Sequence, residues 1–349
     1  MTDNRFLIFG AGAIGTYLGA SLARQGSEVV FLEREKDIPE LRDRGLRMEI
    51  EDQVISIPDI SFLGDLQKIR GQEFTLGILA LKTYHLESIL PDLVRAKDLL
   101  PPLLCLQNGV ESEGILAGAV GEELVIPGTV TSAVDRIQKG EIVVRKKRGM
   151  GIAGTHPLVK DLLEIFNEAD LTCRYYRRAD AMKWSKLLTN LLGNASSAIL
   201  DLTTEEIYSD KGLFKVELQQ IREALRVMRE LGVSPLNLPG VPVRVLAGVV
   251  RWLPPAISQP LLSWQVGGGR GEKMPSFHID LYSGRGKSEV DQLNGAVIRA
   301  GERTGCPAPV NQFLTRTLTS LMKGEIPLDR YRHNPSQFLQ DLQDSLISG

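Results

Sequence analysis

Residues Arg5-Phe-Leu-Ile-Phe9, Gly10-Ala-Gly12-Ala-Ile-Gly15, the run to Gln25 closed by Gly26, and Glu28-Val-Val-Phe-Leu-Glu33 decide the fold. They read as a short apolar strand, a glycine turn, an amphipathic helix ended by glycine and a second strand. A bare GxGxxG pattern is weak, but glycines placed between a strand and a helix within a βαβ unit are specific for a dinucleotide site. Gly10 permits the tight turn, Gly12 lets the backbone approach a pyrophosphate, and Gly15 lets the helix pack closely on the strand. Ala11, Ala13 and Ile14 complete the turn, and the helix N-terminus faces the phosphates. The competing reading is a glycine turn kept only for packing.

The end of the second strand bears on the cofactor. Glu33 lies where an acid can accept hydrogen bonds from a ribose 2′-hydroxyl, the NAD pattern. Arg34 follows directly, and a guanidinium there can pair with a 2′-phosphate, with Lys36 adding positive charge nearby. A 2′-phosphate needs a cation, so NADP is expected, although both residues are also compatible with plain exposed loop charges.

Further strands are expected at Phe74 to Ala80 and Leu103 to Gln107. Lys82 and Asn108 then emerge just past strand ends, where ligands of open α/β sheets collect. Lys82 is a candidate for phosphate or substrate, Asn108 for the nicotinamide ribose or substrate; an ordinary solvated lysine and a plain turn asparagine are the alternatives. Hairpin-like strands around Thr129 to Val134 and Glu141 to Arg145, a strand over Gly149 to Gly154, a helix from Pro157 to Ala169 and a strand near Leu171 to Tyr175 complete the first domain. The run Arg145 to Arg148 reads as a solvated strand or turn. From Ala179 the pattern is helical, which places the domains at 1–178 and 179–349 and gives an α/β protein with an all-helical C-terminal domain.

Within that second half, Lys186, Asn190 and Asn194 recur every fourth residue. A continuous helix would put an amine and two amides on one ridge, with Leu187, Leu188, Leu191 and Leu192 holding the other side against a core. A cation flanked by two amides can hold and polarise a carbonyl-bearing substrate. An accidental polar spacing on a solvated face is the alternative. Ser288, followed by acids, signals another helix start, with Glu289 where the helix dipole favours its anion.

Together these segments resemble the ketopantoate reductase family, also called 2-dehydropantoate 2-reductases. The matching pieces are Gly10 to Gly15, Arg34, Leu81-Lys82-Thr83, Gln107-Asn108-Gly109, Lys186 with Asn190 and Asn194, Pro275-Ser276, and Ser288 to Gly295. The resemblance spans nearly the whole chain. It implies an N-terminal domain that binds NADPH, a helical domain that closes the cleft, and reduction of a 2-keto acid to a 2-hydroxy acid. By the same resemblance Lys186, not Lys183, is the general acid. Asn190, Asn194 and Ser276 bind substrate oxygens, and Glu289 hydrogen-bonds the substrate hydroxyl and organises Lys186. One departure stands out: nine positions separate Asp280 from Glu289, one more than the family pattern. Other hydroxyacid or opine-type dehydrogenases, and a non-catalytic dinucleotide sensor, share the cofactor signature and stay open.

With 349 residues the chain exceeds what one core usually covers. A formal net charge of −2, with both signs interspersed, gives no field for nucleic acid. Cys105, Cys173 and Cys306 lack metal or disulfide spacing, and His85, His156, His278 and His333 share no ligand spacing, so no metal is expected. Met1-Thr-Asp-Asn leads straight into the first strand with no signal peptide, and a cytoplasmic protein is expected. The apolar stretch Val241 to Val266 is interrupted by Arg244, Arg251, Pro254, Pro255 and Pro260. It reads as short helices with hydrophobic surface against the core or a second subunit, not as a membrane span, and a homodimer is expected. Gly267 to Gly271 reads as a flexible lead into Pro275-Ser276.

Overall fold

The structure, a computed structural model, describes residues 4–270, 274–284 and 286–348. Contacts divide the chain into two units, residues 1–183 with 238–241, and residues 184–237 with 242–349. The first unit thus extends past residue 178 into a helix and takes in a short returning segment.

In the first unit, β1 (Arg5–Phe9), α1 (Ala13–Arg24) and β2 (Glu28–Leu32) form the βαβ unit, with β1 and β2 parallel. The short helix α2 (Ile38–Arg44) leads to β3 (Leu46–Ile50), β4 (Gln53–Ile57) and β5 (Ser61–Leu63), and β5 joins β2. Then β6 (Leu76–Leu79), α3 (Leu86–Arg95), β7 (Leu103–Cys105), α4 (Ser112–Val120) and β8 (Val125–Val130) extend the sheet on the other side of β1. Two strands follow as an antiparallel hairpin, β9 (Ala133–Gln138) and β10 (Glu141–Lys146). β11 (Met150–Ala153), α5 (Val159–Glu168) and β12 (Cys173–Tyr176) close the unit.

The main sheet has eight strands in the order β12-β11-β8-β7-β6-β1-β2-β5, and a second sheet has the order β4-β3-β10-β9. The chain steps from β1 to β2 on one side and later to β6 on the other. This reversal is the topological switch point at which open α/β sheets place ligands. β1 is apolar from Phe6 to Phe9, where both faces are covered: Phe6 and Ile8 pack in the cluster with Tyr17 and Leu18 of α1, whereas Leu7 and Phe9 pack with Leu93 of α3 and Leu116 of α4.

The expected strand over Thr129 to Val134 is really the end of β8 and the start of β9, split at Thr131, whose N–H and hydroxyl both bond the Gly149 carbonyl. The hairpin is therefore β9–β10, and its tip is Lys139-Gly140. In the run Arg145 to Arg148, Arg148 is half-buried and its guanidinium donates to the Thr131 carbonyl at 3.3 Å, so it is not merely solvated. The second sheet's β3 and β4 had no counterpart in the sequence reading.

The second unit is helical. The helix α6 (Ala179–Leu191) straddles the division, and α7 (Asn194–Leu200), α8 (Thr204–Ser209) and the long α9 (Lys211–Glu230) follow. Next come α10 (Val243–Trp252), α11 (Pro255–Arg270) and α12 (Ser276–Tyr282). A π-helical turn over Asp291–Gly295 runs into α13 (Ala296–Thr304), followed by α14 (Pro309–Met322) and α15 (Pro335–Ser348). Residues 267–270 are the last of α11, where a flexible lead was expected; Gly271 lies outside the described residues. On α10, Val243, Leu246, Ala247 and Val250 are buried while Val245 and Trp252 are exposed. Among the described residues no helix is long and apolar enough to cross a membrane.

α9 carries two buried acids that organise its neighbours. Glu217 accepts from the Gly193 N–H at 2.7 Å and the Ser196 hydroxyl at 2.6 Å. Glu223 accepts from the Val310 and Asn311 N–H groups at 3.1 and 3.0 Å, capping the start of α14. Burial pushes the Glu223 carboxyl above its ordinary pKa, although these donors oppose the shift.

The glycine turn offers a direct test of packing. A Cβ at Gly15 would lie 1.9 Å from the Gly10 carbonyl oxygen, whereas one at Gly12 would meet nothing within 4 Å. Gly15→Ala is expected to destabilise the protein by about 3 kcal/mol or more, and Gly12→Ala by under about 1 kcal/mol, in denaturant unfolding. Equal losses would show that the close approach of α1 to β1 is not the constraint.

Candidate functional site

In the first unit the sequence-predicted residues gather at the C-terminal ends of the parallel strands. Gly10, at φ +93°, turns the chain out of β1, and its N–H donates to the Leu32 carbonyl at 3.0 Å, tying the turn to the end of β2. Gly12 caps α1 with no side-chain partner, so the amides of Ala13, Ile14 and Gly15 keep the unsatisfied character of a helix start. The Ala11 amide differs. It donates to Glu33 Oε1 at 2.7 Å, which commits it to the end of β2 and not to a phosphate.

Glu33 is buried, and its other oxygen accepts from the Arg34 N–H at 3.2 Å and from Lys139 Nζ at 2.6 Å. The same ammonium donates to Asp37 Oδ2 at 2.7 Å, and Arg34 Nε reaches that oxygen at 2.9 Å. Lys139 holds the Asp37 carboxyl below its ordinary range through this hydrogen bond, against partial desolvation and with help from Arg34. The hairpin tip is fixed to the glycine turn itself, since the Gly140 N–H donates to the Ala11 carbonyl at 3.0 Å. Two carboxylates and two cations therefore alternate beside the turn, and Lys139 had no place in the sequence reading.

Lys82 follows β6 and begins the turn to α3, with its carbonyl accepting the His85 N–H at 2.9 Å. Thr83 donates its hydroxyl to the Asn108 carbonyl at 3.0 Å, joining the loops after β6 and β7. Below Asn108, Lys183 is buried. Its Nζ donates to the Gln107 carbonyl at 2.6 Å and the Gly128 carbonyl at 3.3 Å and lies 2.7 Å from Glu113. Lys183 thus anchors the turn that presents Asn108.

The second unit corrects the expected ridge. α6 ends at Leu191, and Gly193 takes a left-handed conformation at φ +64°. Its N–H is drawn to Glu217, so Asn194 opens α7 and does not continue α6. Lys186 and Asn190 do share α6 one turn apart, both partly exposed, while Leu187, Leu188 and Leu191 are fully buried. Asn194 is still brought to Asn190 and Ser276 by another route: its Nδ2 donates to the Asn190 carbonyl at 3.1 Å and to Ser276 Oγ at 3.2 Å. Its Oδ1 accepts the Phe277 N–H at 2.9 Å, capping α12. The Asn194 amide is therefore engaged in holding Ser276 at the start of α12.

Glu289 is buried at the head of the helix entered through the π turn. Its carbonyl accepts the Leu293 N–H at 3.0 Å, and the Val290 N–H bonds Ser288 Oγ at 3.3 Å, so the helix starts two residues after the expected Ser288. The far side of the α7–α12 pair is pinned by Asp201, whose left-handed backbone ends α7 at φ 52°. Its carboxylate meets His278 Nε2 at 2.6 Å and Arg332 Nε at 2.9 Å. Nothing in the spacing of Asp201, His278 and Arg332 along the chain signalled this cluster.

A glycine turn at the switch point of a mainly parallel sheet, followed by a helical unit, makes this a Rossmann-type protein of the α/β class. The family described as Ketopantoate reductase PanE/ApbA matches residues 6–155, and its C-terminal counterpart matches residues 178–321. The chain belongs to the ketopantoate reductase PanE/ApbA family, a family of oxidoreductases. It is 22% identical over 333 residues to 2-dehydropantoate 2-reductase of Pyrococcus abyssi (strain GE5 / Orsay), covering 93% of this chain and 99% of that protein. It is 25% identical over 322 residues to the Pyrococcus horikoshii enzyme of the same name, covering 89% and 95%. The PanE/ApbA family ketopantoate reductase of Ralstonia eutropha JMP134 superposes with a TM-score of 0.77 at 25% identity, over 92% of this chain and 99% of that one. D-mandelate dehydrogenase, solved with NADH and anilino(oxo)acetate, shares the fold with a TM-score of 0.76 at 22% identity, over 93% and 99%.

The Asp201 cluster makes a prediction about acid stability. Burial alone would raise the Asp201 pKa, but the hydrogen bonds from His278 and Arg332 outweigh it and the carboxyl titrates below its ordinary value. A depressed folded-state pKa contributes stability that is fully present above the unfolded value of about 3.9 and is lost as pH falls through the folded value. Asp201→Asn, which tolerates the left-handed backbone, should lower the melting temperature near neutrality. It should also flatten the acid-side decline below about pH 4. Parallel wild-type and variant curves would remove Asp201 from the acid response.

Proposed function

We propose that this chain reduces a 2-keto acid to the 2-hydroxy acid with NADPH, and that the substrate is 2-dehydropantoate, giving pantoate for pantothenate biosynthesis. The observation that carries the cofactor class is the glycine turn. Its open side at Gly12 has room that even a Cβ would not fill, the adjoining amides at the start of α1 have no side-chain cap, and Gly15 admits no larger residue. The names of the Pyrococcus relatives support the substrate.

Gly10, Gly12, Ala13, Ile14 and Gly15 would hold the pyrophosphate, with Arg34 and Lys82 as cations at the phosphates and Asn108 at the nicotinamide ribose. Ala11 contributes by fixing Glu33. When bound, the dinucleotide supplies a hydride to the carbonyl carbon. Lys186 stabilises the negative charge that develops on the carbonyl oxygen and delivers the proton from its Nζ. Asn190 and the Ser276 hydroxyl bind the substrate carboxylate and carbonyl oxygens, and Asn194 positions Ser276, as its hydrogen bonds favour. Glu289 accepts from the substrate hydroxyl and orients Lys186. Glu33 supports a second reading, NADH with another 2-hydroxy acid, because an acid at that strand end suits an unphosphorylated ribose.

A panel of 2-keto acids assayed by loss of NADPH and NADH absorbance tests the reading, with 2-dehydropantoate and NADPH expected as the best pair. Lys186→Ala should lower kcat by roughly 10²- to 10⁴-fold while changing NADPH affinity by no more than about threefold, because its work arises only as charge develops. Wild-type kcat in this variant would exclude Lys186 from the mechanism.

A further inference from the structure

The charge arrangement beside the glycine turn goes beyond a simple choice between Glu33 and Arg34. Both Glu33 oxygens are engaged, one by the Ala11 N–H and the other by Lys139 Nζ and the Arg34 N–H. A bare carboxylate at this strand end would repel a 2′-phosphate, and a neutralised one would not. The neutralising cation comes from the tip of the β9–β10 hairpin, 106 positions away in sequence. Backbone bonds hold that tip in place: Gly140 N–H to the Ala11 carbonyl at 3.0 Å, and the Arg47 N–H to the Gly140 carbonyl at 2.8 Å. Arg44 adds a third bond, to the Lys139 carbonyl, at 2.5 Å.

Lys139 is positioned to do more than neutralise. An ammonium has three N–H donors, and Glu33 and Asp37 take two of them. The Lys139 side chain keeps 26% of its surface exposed, and Arg34 beside it keeps 66%. Two cations share this edge, with Glu33 buried beneath them and Asp37 held between them by both, an arrangement that matches a dianionic phosphate better than a pair of ribose hydroxyls.

We propose that Lys139 sets the preference of this site for a 2′-phosphorylated over an unphosphorylated adenosine ribose, by masking Glu33 and offering its third N–H, together with Arg34, to the phosphate. This rests on the dinucleotide reading of the glycine turn given above. It assigns a hairpin residue outside the βαβ unit to cofactor discrimination.

Calorimetric titration of the full-length protein with 2′,5′-ADP and with 5′-ADP reads the ribose end alone, with no nicotinamide and no turnover. The wild type should bind 2′,5′-ADP more tightly. Lys139→Met should weaken 2′,5′-ADP by roughly 10- to 100-fold and change 5′-ADP by less than about threefold, the scale of one charge-assisted hydrogen bond. Lys139→Arg should restore most of the loss. Adding Glu33→Gln to Lys139→Met should recover part of it, because the unmasked charge is gone. Thermal melts confirm that each variant is folded, and a purely structural role would weaken both ligands alike. If the wild type binds both nucleotides with equal affinity, or if Lys139→Met leaves their ratio unchanged, this inference falls and the dinucleotide site stands. If the wild type binds neither, the site reading falls and this inference with it.

Discussion

The first unit depends on the distance between α1 and the carbonyl of Gly10. Hydrogen is the only substituent that fits at Gly15, and Gly19 on the next turn meets the Phe31 ring, where a Cβ would lie 2.4 Å away. These two glycines let the helix lie against β1 and β2, so that its uncapped amides open at the switch point and not over the middle of the sheet. The loops after β1, β2, β6 and β7 share that edge because parallel strands all finish on the same side. Close packing of one helix therefore decides where the glycine turn opens, and the parallel run of β6 and β7 brings Lys82 and Asn108 to the same edge.

The same packing places Glu33 within reach of the Ala11 amide and thereby fixes the electrostatics of the edge. Burying a carboxylate is costly, and a buried ion pair seldom repays its desolvation in stability. An alternating set of Glu33, Lys139, Asp37 and Arg34 is thus weak evidence for a stabilising device. It is stronger evidence for a shaped potential, because each acid is turned toward backbone or ammonium and the guanidinium is left at the surface. Charge order, not charge count, gives this edge its character.

The βαβ unit was legible because three signals coincide there: the unbroken apolar run Phe6 to Phe9, glycines at fixed offsets, and a helix closed by Gly26. β3 and β4 were not legible. Leu46, Met48 and Ile50 do alternate with Arg47 and Glu49 in the period of a half-buried strand, but over only five residues, and Gln53 to Ile57 lacks that alternation, with Val54 exposed, so the pair acquires a place only through its partner strand β10. Lys139 was missed for a related reason, since its partners Glu33 and Asp37 are brought to it by a long-range pairing with no local signature. The Lys186, Asn190 and Asn194 spacing suggests one helical ridge, but only Lys186 and Asn190 lie on α6, and Asn194 opens α7. The leucine pattern runs through residue 192, and only the pull of Glu217 on the Gly193 N–H shows why the chain breaks there.

The break has a consequence for how the second unit holds its polar groups. Had α6 continued, Asn194 would have projected from the same helix as Lys186, free to face a ligand. By opening α7 it instead caps α12 through the Phe277 N–H and carries Ser276 with it, while Asp201 at the other end of α7 grips His278 on the same helix. Two helices of seven residues each, too short to be stable alone, are thereby tied together by side-chain hydrogen bonds from both ends of α7 to the first turn of α12. A hydroxyl presented from such a locked helix start holds its position better than one on a free loop, and its own acceptor is already satisfied by Asn194. The Asn194 amide is in turn occupied by Ser276 and by the Phe277 N–H, so the geometry of this helix start is set from α7.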